Sequence, residues 1–152
     1  MQKEHKEILS KIFCNMLEKL TFMFGELVER DELLPQGVDY VQASMTFSGK
    51  MSGALSLTVP SFMCTKIAAN VLGMEVDDEL VMARGTDALR EVLNVTCGNV
   101  LTAIAGQEPI FNLTVPTISN VNPDAWETLS NDSNTMCFLV DDTPVLLNLA
   151  LG

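Results

Sequence analysis

Histidine is all but missing from this chain: His5, near the N-terminus, is the only one. That excludes a Ser-His-Asp triad, a histidine general base and a histidine-ligated metal centre, because each needs at least one imidazole inside a built site. Cysteine is nearly as sparse. Cys14, Cys64, Cys97 and Cys137 are scattered without a C-x2-C pair, each in a regular, partly apolar segment, so they are expected as buried free thiols and not as a zinc site. Glycine-rich phosphate loops of the G-x4-G-K-[ST] or G-x-G-x2-G kind are absent, as is any tight carboxylate cluster resembling a calcium loop. Cations are also short: 9 Lys and Arg stand against 20 Asp and Glu, for a net charge of −11 and a pI near 4.3. A nucleic acid or an anionic membrane would meet repulsion from such a chain, which leaves a protein or a small ligand as the expected partner. No apolar run is long enough to span a bilayer, and the charged start Lys3-Glu4-His5-Lys6-Glu7 has no apolar segment of the signal-peptide kind behind it. A cytoplasmic protein is expected.

What is present suits one domain over residues 1–152: 47% of them are hydrophobic, enough for an ordinary core. Ile8, Leu9, Ile12, Phe13, Met16, Leu17, Leu20, Phe24 and Leu27 recur at helical spacing, which predicts a helix over residues 3–29 that exits at the charged run Glu29–Glu32 and Pro35-Gln36-Gly37. Val41, Ala43, Met45 and Phe47, then Leu55, Leu57 and Val59, alternate with polar residues about Gly49-Lys50, as in a hairpin with one buried face. Pro60-Ser61 opens a second helix that Gly73 closes, and the acidic run Glu75–Glu79 leads to a third helix over 86–105, with Thr86 as N-cap and Gly106 as stop. Residues 111–119 read as a strand that Pro116 confines to an edge or a strand end. A polar connection follows, with a short helical turn over 124–129. Residues 136–140 and 145–151 close the chain as a hairpin about Asp141–Pro144. Consecutive strands on short turns predict an α/β domain of the α+β kind, a mainly antiparallel sheet packed against helices with a weak internal pseudo-repeat.

The third helix carries the distinctive pattern. Asp87, Glu91 and Asn94 fall within an arc of roughly 60° on a helix, opposite a mostly apolar stripe of Leu89, Val92, Thr96, Val100 and Ala103. A carboxylate and a carboxamide therefore share one outward face. If the chain is a duplication, the matching positions of the first helix are Ser10, Cys14 and Leu17, which supply neither group.

The spacing [DS]-x3-E-x2-N, followed by a proline a little over twenty residues on, resembles the motif of the CheC/CheX/FliY family of chemotaxis phosphatases; here it reads Asp87, Glu91, Asn94 and Pro116. Thr96 and Gly98 after the asparagine, the Gly53-Ala54-Leu55 strand upstream and the order of elements strengthen the resemblance, and a single motif copy is more like CheX than two-site CheC. One departure is Leu93, where the family often has a small residue, commonly Gly; its bulk bears on how a partner helix docks.

The resemblance implies hydrolysis of the aspartyl phosphate on a CheY-like receiver domain. An acyl phosphate is already activated, so the missing component is an oriented water, and a carboxamide can accept from and donate to one at once. Asn94 takes that role by resemblance, and Glu91 pairs with the receiver's lysine. Asp87 supports the helix start or the rim of the interface, Gly98 and Pro116 support the site, and no metal or cofactor belongs to this chain, Mg2+ being held by the receiver. A homodimer is implied as well, for which the leucine-rich terminal hairpin offers a sheet edge. Two other readings use the same residues: a receiver-binding or dimerising adaptor that docks without positioning a water, and a ligand-sensing domain with a methionine-rich interior. Retention of both Glu91 and Asn94 favours the enzyme.

Overall fold

Helix α1 spans Lys3–Thr21 in the computed structural model, which describes residues 2–34 and 36–152. Met1 and the Pro35 expected at the helix exit lie outside the described residues. Leu9, Phe13, Leu17 and Thr21 form the buried stripe of α1. The helix ends well before residue 29, because Phe22 adopts a left-handed φ of 58° and returns its N–H to the Glu18 carbonyl. Phe24 and Leu27, which extend the helical spacing in the sequence, are 65% and 49% exposed, whereas Met23 is fully buried. Strand β1, Gly25–Val28, takes over and pairs along β6, Thr135–Val140. A Cβ on Gly25 would stand 3.2 Å from Leu17 Cδ1, so glycine allows the strand to run close beneath the helix it has just left.

Strands β2 (Tyr40–Ser48) and β3 (Gly53–Pro60) form the expected antiparallel hairpin, with Val41, Ala43, Met45 and Phe47 buried. Helix α2 covers Ser61–Leu72 and stops at Gly73, whose φ of 66° suits a left-handed cap, as its position implies. Helix α3 runs Glu79–Ala105. Two short strands follow, β4 (Asn112–Leu113) and β5 (Thr117–Val121), both antiparallel to β2, and Pro116 lies in the gap between them. Pro116 thus interrupts an edge, as the missing N–H requires. Helix α4, Pro123–Ser130, extends the expected helical turn by one residue at each end and is capped by Asn122, whose Oδ1 accepts from the Ala125 N–H at 2.8 Å. The closing hairpin pairs β6 with β7, Thr143–Leu151, through a turn in which Asp141 and Asp142 have φ of 46° and 66°.

The sheet order is β1-β6-β7-β3-β2, with β4 and β5 end to end along the outer edge of β2. Exchanging the two halves of the chain (β1 for β5, β2 for β6, β3 for β7) returns the same order read backwards. The duplication that residue identity hardly records is plain in the topology. The terminal hairpin, however, offers no edge, because β7 sits between β6 and β3 with both sides paired. The exposed edges are β1 and the β4–β5 pair.

Helices α1, α2 and α3 cover one face of the sheet and enclose the main core, where Leu9, Phe13, Ile67, Leu89 and Leu93 meet Met45, Leu57 and Leu147. The alternation of β6 and β7 sends Cys137 and Leu146 to the other face, where they join Leu33, Tyr40, Val121 and Trp126 in a second cluster. Tyr40 stacks on Trp126 with ring centroids 5.1 Å apart, so the hairpin is buried on both faces at this end and not on one alone.

Candidate phosphatase face on helix α3

Helix α3 begins seven residues before the expected start. Asp78 is the N-cap, its Oδ1 accepting from the Leu80 N–H at 2.9 Å, and Glu79 sits in the first turn where the helix dipole favours negative charge. The acidic run that reads as a leader is therefore the cap itself, and Thr86 lies inside the helix. Asp87 is about two turns in, too far to support the helix start. Its Oδ1 instead holds Arg90 Nη1 at 2.9 Å.

Leu89, Val92, Thr96 and Val100 are buried as expected, whereas Ala103 is exposed. Leu93 is completely buried in the core. Its bulk therefore fills space between helix and sheet, where a leucine contributes about 1.5–3 kcal/mol by burial, and it does not stand between the motif face and a partner.

Asp87, Glu91 and Asn94 are all exposed. With Arg90 they form one wall of a groove of about 300 Å³ whose other wall is Leu113, Thr114, Val115 and Pro116. The fold thus brings the motif proline to the motif helix across more than twenty residues of chain. Pro116 is buried, and the segment before it bulges outward while remaining tied to β2: the Thr46 N–H donates to Thr114 Oγ1 at 2.8 Å, and the Thr114 N–H donates to the Thr46 carbonyl at 3.0 Å. A smaller apolar hollow between α2 and α3, lined by Ala68, Val71, Leu72, Arg84 and Ala88, shares Asp87 and Glu91 with this groove. Gly98 lies one turn beyond Asn94 on the same face but outside the groove, and a Cβ there would meet nothing within 4 Å. Close packing inside the chain does not require glycine there; its missing side chain keeps the surface beside Asn94 low. The equivalent positions of α1 build no second face, since Leu17 is buried.

Two residues that the motif does not include, Arg84 and Arg90, line these depressions. The signal for them is a charge pattern: they are the only cations in residues 67–152.

The chemistry of the groove is polar and non-nucleophilic. Its one hydroxyl, on Thr114, is engaged with Thr46, and none of the thiols lines it. Burial pushes the Cys64 and Cys97 thiols up to about 11, and it raises Cys14 and Cys137 too, the latter despite an opposing pull from the Arg30 charge. Among the described residues no group of three or more His, Cys, Asp or Glu side chains is placed to hold a metal ion, and no helix is long and apolar enough to cross a membrane.

The family model for the chemotaxis phosphatase CheX matches residues 41–138, which include the hairpin, the motif helix and Pro116. The chain belongs to the CheX family. Solved CheX structures share its fold at low identity. CheX of Desulfovibrio desulfuricans superposes with a TM-score of 0.72 at 14% identity, covering 98% of this chain and 99% of that one. CheX of Vibrio vulnificus gives 0.69 at 16% identity, covering 98% and 97%. The CheX–CheY–BeF3–Mg2+ complex from Borrelia burgdorferi gives 0.66 at 16% identity, covering 97% of each chain. No curated protein matches the chain. The family is that of the chemotaxis phosphatase CheX, and the α+β fold with its antiparallel sheet is that of the CheX and CheC structures.

Proposed function

We propose that this CheX-family protein hydrolyses the aspartyl phosphate of a CheY-like receiver domain, with Asn94 orienting the attacking water and Glu91 pairing with the receiver's lysine. The observation that carries the proposal is the exposure of Glu91 and Asn94 together, on one face of α3, beside a groove that contains no free nucleophile. Such a face can supply an oriented water and a salt bridge, and an acyl phosphate held with Mg2+ on a partner requires little more. The Borrelia relative was crystallised with CheY carrying BeF3 and Mg2+, which supports a receiver as the partner. Asp87, through Arg90, belongs to the rim; Pro116 shapes the second wall and Gly98 leaves room for the docked surface. Action on such a receiver places the protein in the cytoplasm. The decisive test is a phosphate-release time course with phosphorylated CheY-like receivers, with and without this protein. Acceleration well beyond the receiver's own decay is expected; tight binding without acceleration would establish the docking adaptor instead.

The catalytic metal in this proposal is the receiver's. Metal analysis of this protein alone after extensive dialysis should find no stoichiometric ion, while phosphate release with the receiver should stop in excess chelator. Metal retained at one per chain would overturn this division of labour.

A homodimer is also proposed, though not through the terminal hairpin, whose strands are both paired internally. The edges left for a second subunit are β1 and the β4–β5 pair. Light scattering at tens of micromolar, on the order of ordinary assay concentrations for a stable dimer, should give twice the chain mass; the mass of one chain would count against the proposal.

A further inference from the structure

The net charge of −11 poses a physical problem for the proposed function, since the partner is anionic where it matters. An aspartyl phosphate carries negative charge, and a site that holds a divalent cation is built from carboxylates. Two acidic surfaces repel unless the local charge at the contact differs from the global one. At physiological salt, exposed charges are screened over about 8 Å, so the charges around the motif count for more than the sum over the chain.

The cations are distributed accordingly. After Lys66 the chain has two, Arg84 and Arg90, amid Glu75, Asp77, Asp78, Glu79, Glu108 and the acidic residues further on. Both lie on the exposed side of α3. Taking Asp87 as the origin, Glu91 stands at about +40°, Asn94 at −20°, Arg84 at +60° and Arg90 at −60°. The arginines therefore bracket the motif, Arg84 beside Glu91 in the α2–α3 hollow and Arg90 beside Asn94 in the groove. Arg90 is held in place: its Nη1 donates to Asp87, its Nε is covered and without a partner, and 40% of its side chain remains exposed, leaving donors on the guanidinium for an incoming anion. An exposed ion pair of this kind adds little to stability, about 0–1 kcal/mol. Its consequence is orientation.

We infer that Arg84 and Arg90 form a cationic bracket that recruits and registers the acidic rim of the phosphorylated receiver around Glu91 and Asn94, with Asp87 serving to aim Arg90. The inference rests on the receiver being the partner. The bracket acts on association and docking, not on the bond-breaking step. Arg90 shares the groove with Asn94, but its Nη1 is turned one turn back to the Asp87 carboxylate.

The test compares four proteins: wild type, Arg84→Glu/Arg90→Glu, Arg84→Lys/Arg90→Lys, and a Lys3→Glu/Lys50→Glu control with the same change in net charge on exposed positions outside α3. Association with a CheY-like receiver carrying beryllofluoride and Mg2+ is followed by stopped flow at low and physiological salt, together with hydrolysis at saturating receiver phosphate. The double Glu variant should associate about tenfold or more slowly at low salt, with the deficit shrinking as salt rises and exceeding any loss of turnover at saturation. The Lys variant and the control should remain near wild type. Unchanged association of the Glu variant overturns the inference. An equal loss in the control assigns the effect to net charge, loss of saturated turnover alone moves the arginines into the chemistry, and a Lys variant as slow as the Glu variant replaces charge with shape; each is an overturning result. Arginine-dependent binding without hydrolysis by the wild type would sustain the bracket and remove only the phosphatase reading. No binding to any charged receiver would remove both.

Discussion

Asn94→Ala should abolish most receiver dephosphorylation, by about a hundredfold in single turnover, while binding of a beryllofluoride-charged receiver stays close to wild type. The physical reason is timing. A water-orienting amide makes its essential interaction as the water approaches phosphorus, so its loss raises the barrier without weakening the encounter. Asn94 is exposed on a helix interior, and alanine has a helix propensity better than asparagine by up to about 0.7 kcal/mol, so the variant should fold at least as well as the parent. Wild-type turnover by folded Asn94→Ala would show that the amide does not position the water, and the docking adaptor would become the better account.

Glu91→Ala should impair both steps. Glu91 is exposed and enters none of the ion pairs found among the described residues, so its carboxylate is free for the receiver's lysine. Loss of a charge-assisted contact costs about 1.5–3 kcal/mol of binding, roughly ten- to 150-fold in Kd, with further loss in turnover as the water and phosphorus fall out of line. Glu91→Gln keeps the shape and removes the charge, so it should recover part of the turnover at saturating receiver but little of the affinity. Titration of the charged receiver against both variants, followed by single-turnover release, separates the two effects. An Ala variant with unchanged Kd would locate the lysine contact elsewhere.

Where the chain spoke through short-range chemistry, the sequence was legible. The β2–β3 alternation, the Gly73 stop and the Gly106 stop each follow from a steric or hydrogen-bonding requirement a few residues long, and each stands where expected; the terminal turn is tighter than expected, Asp141-Asp142 alone, with Thr143 and Pro144 already paired in β7. The errors arose where two local signals competed and packing chose between them. Phe24 and Leu27 continue a helical period, yet the chain leaves the helix at Phe22 so that Met23 can enter the core and β1 can pair with β6. Asp78 and Thr86 are both plausible caps, and the earlier one prevails because Val81 and Gly85 pack into the core, Gly85 against Cys64 of α2, which holds two further turns of α3 in place.

The sequence alone nominated the candidate residues. The motif that resembles the family's singled out Glu91 and Asn94, and helix geometry put them on one face. The tertiary structure decided what surrounds that face. Sheet pairing along β2 swung the 113–116 segment across to make the second wall, and burial sent Leu93 inward. The same pairing enclosed β7 and denied the terminal hairpin the free edge its leucines suggested. A helix face depends on residues three and four apart, which the sequence displays directly, whereas a groove or a sheet edge depends on strands far apart in the chain. Their register follows from the whole core packing at once.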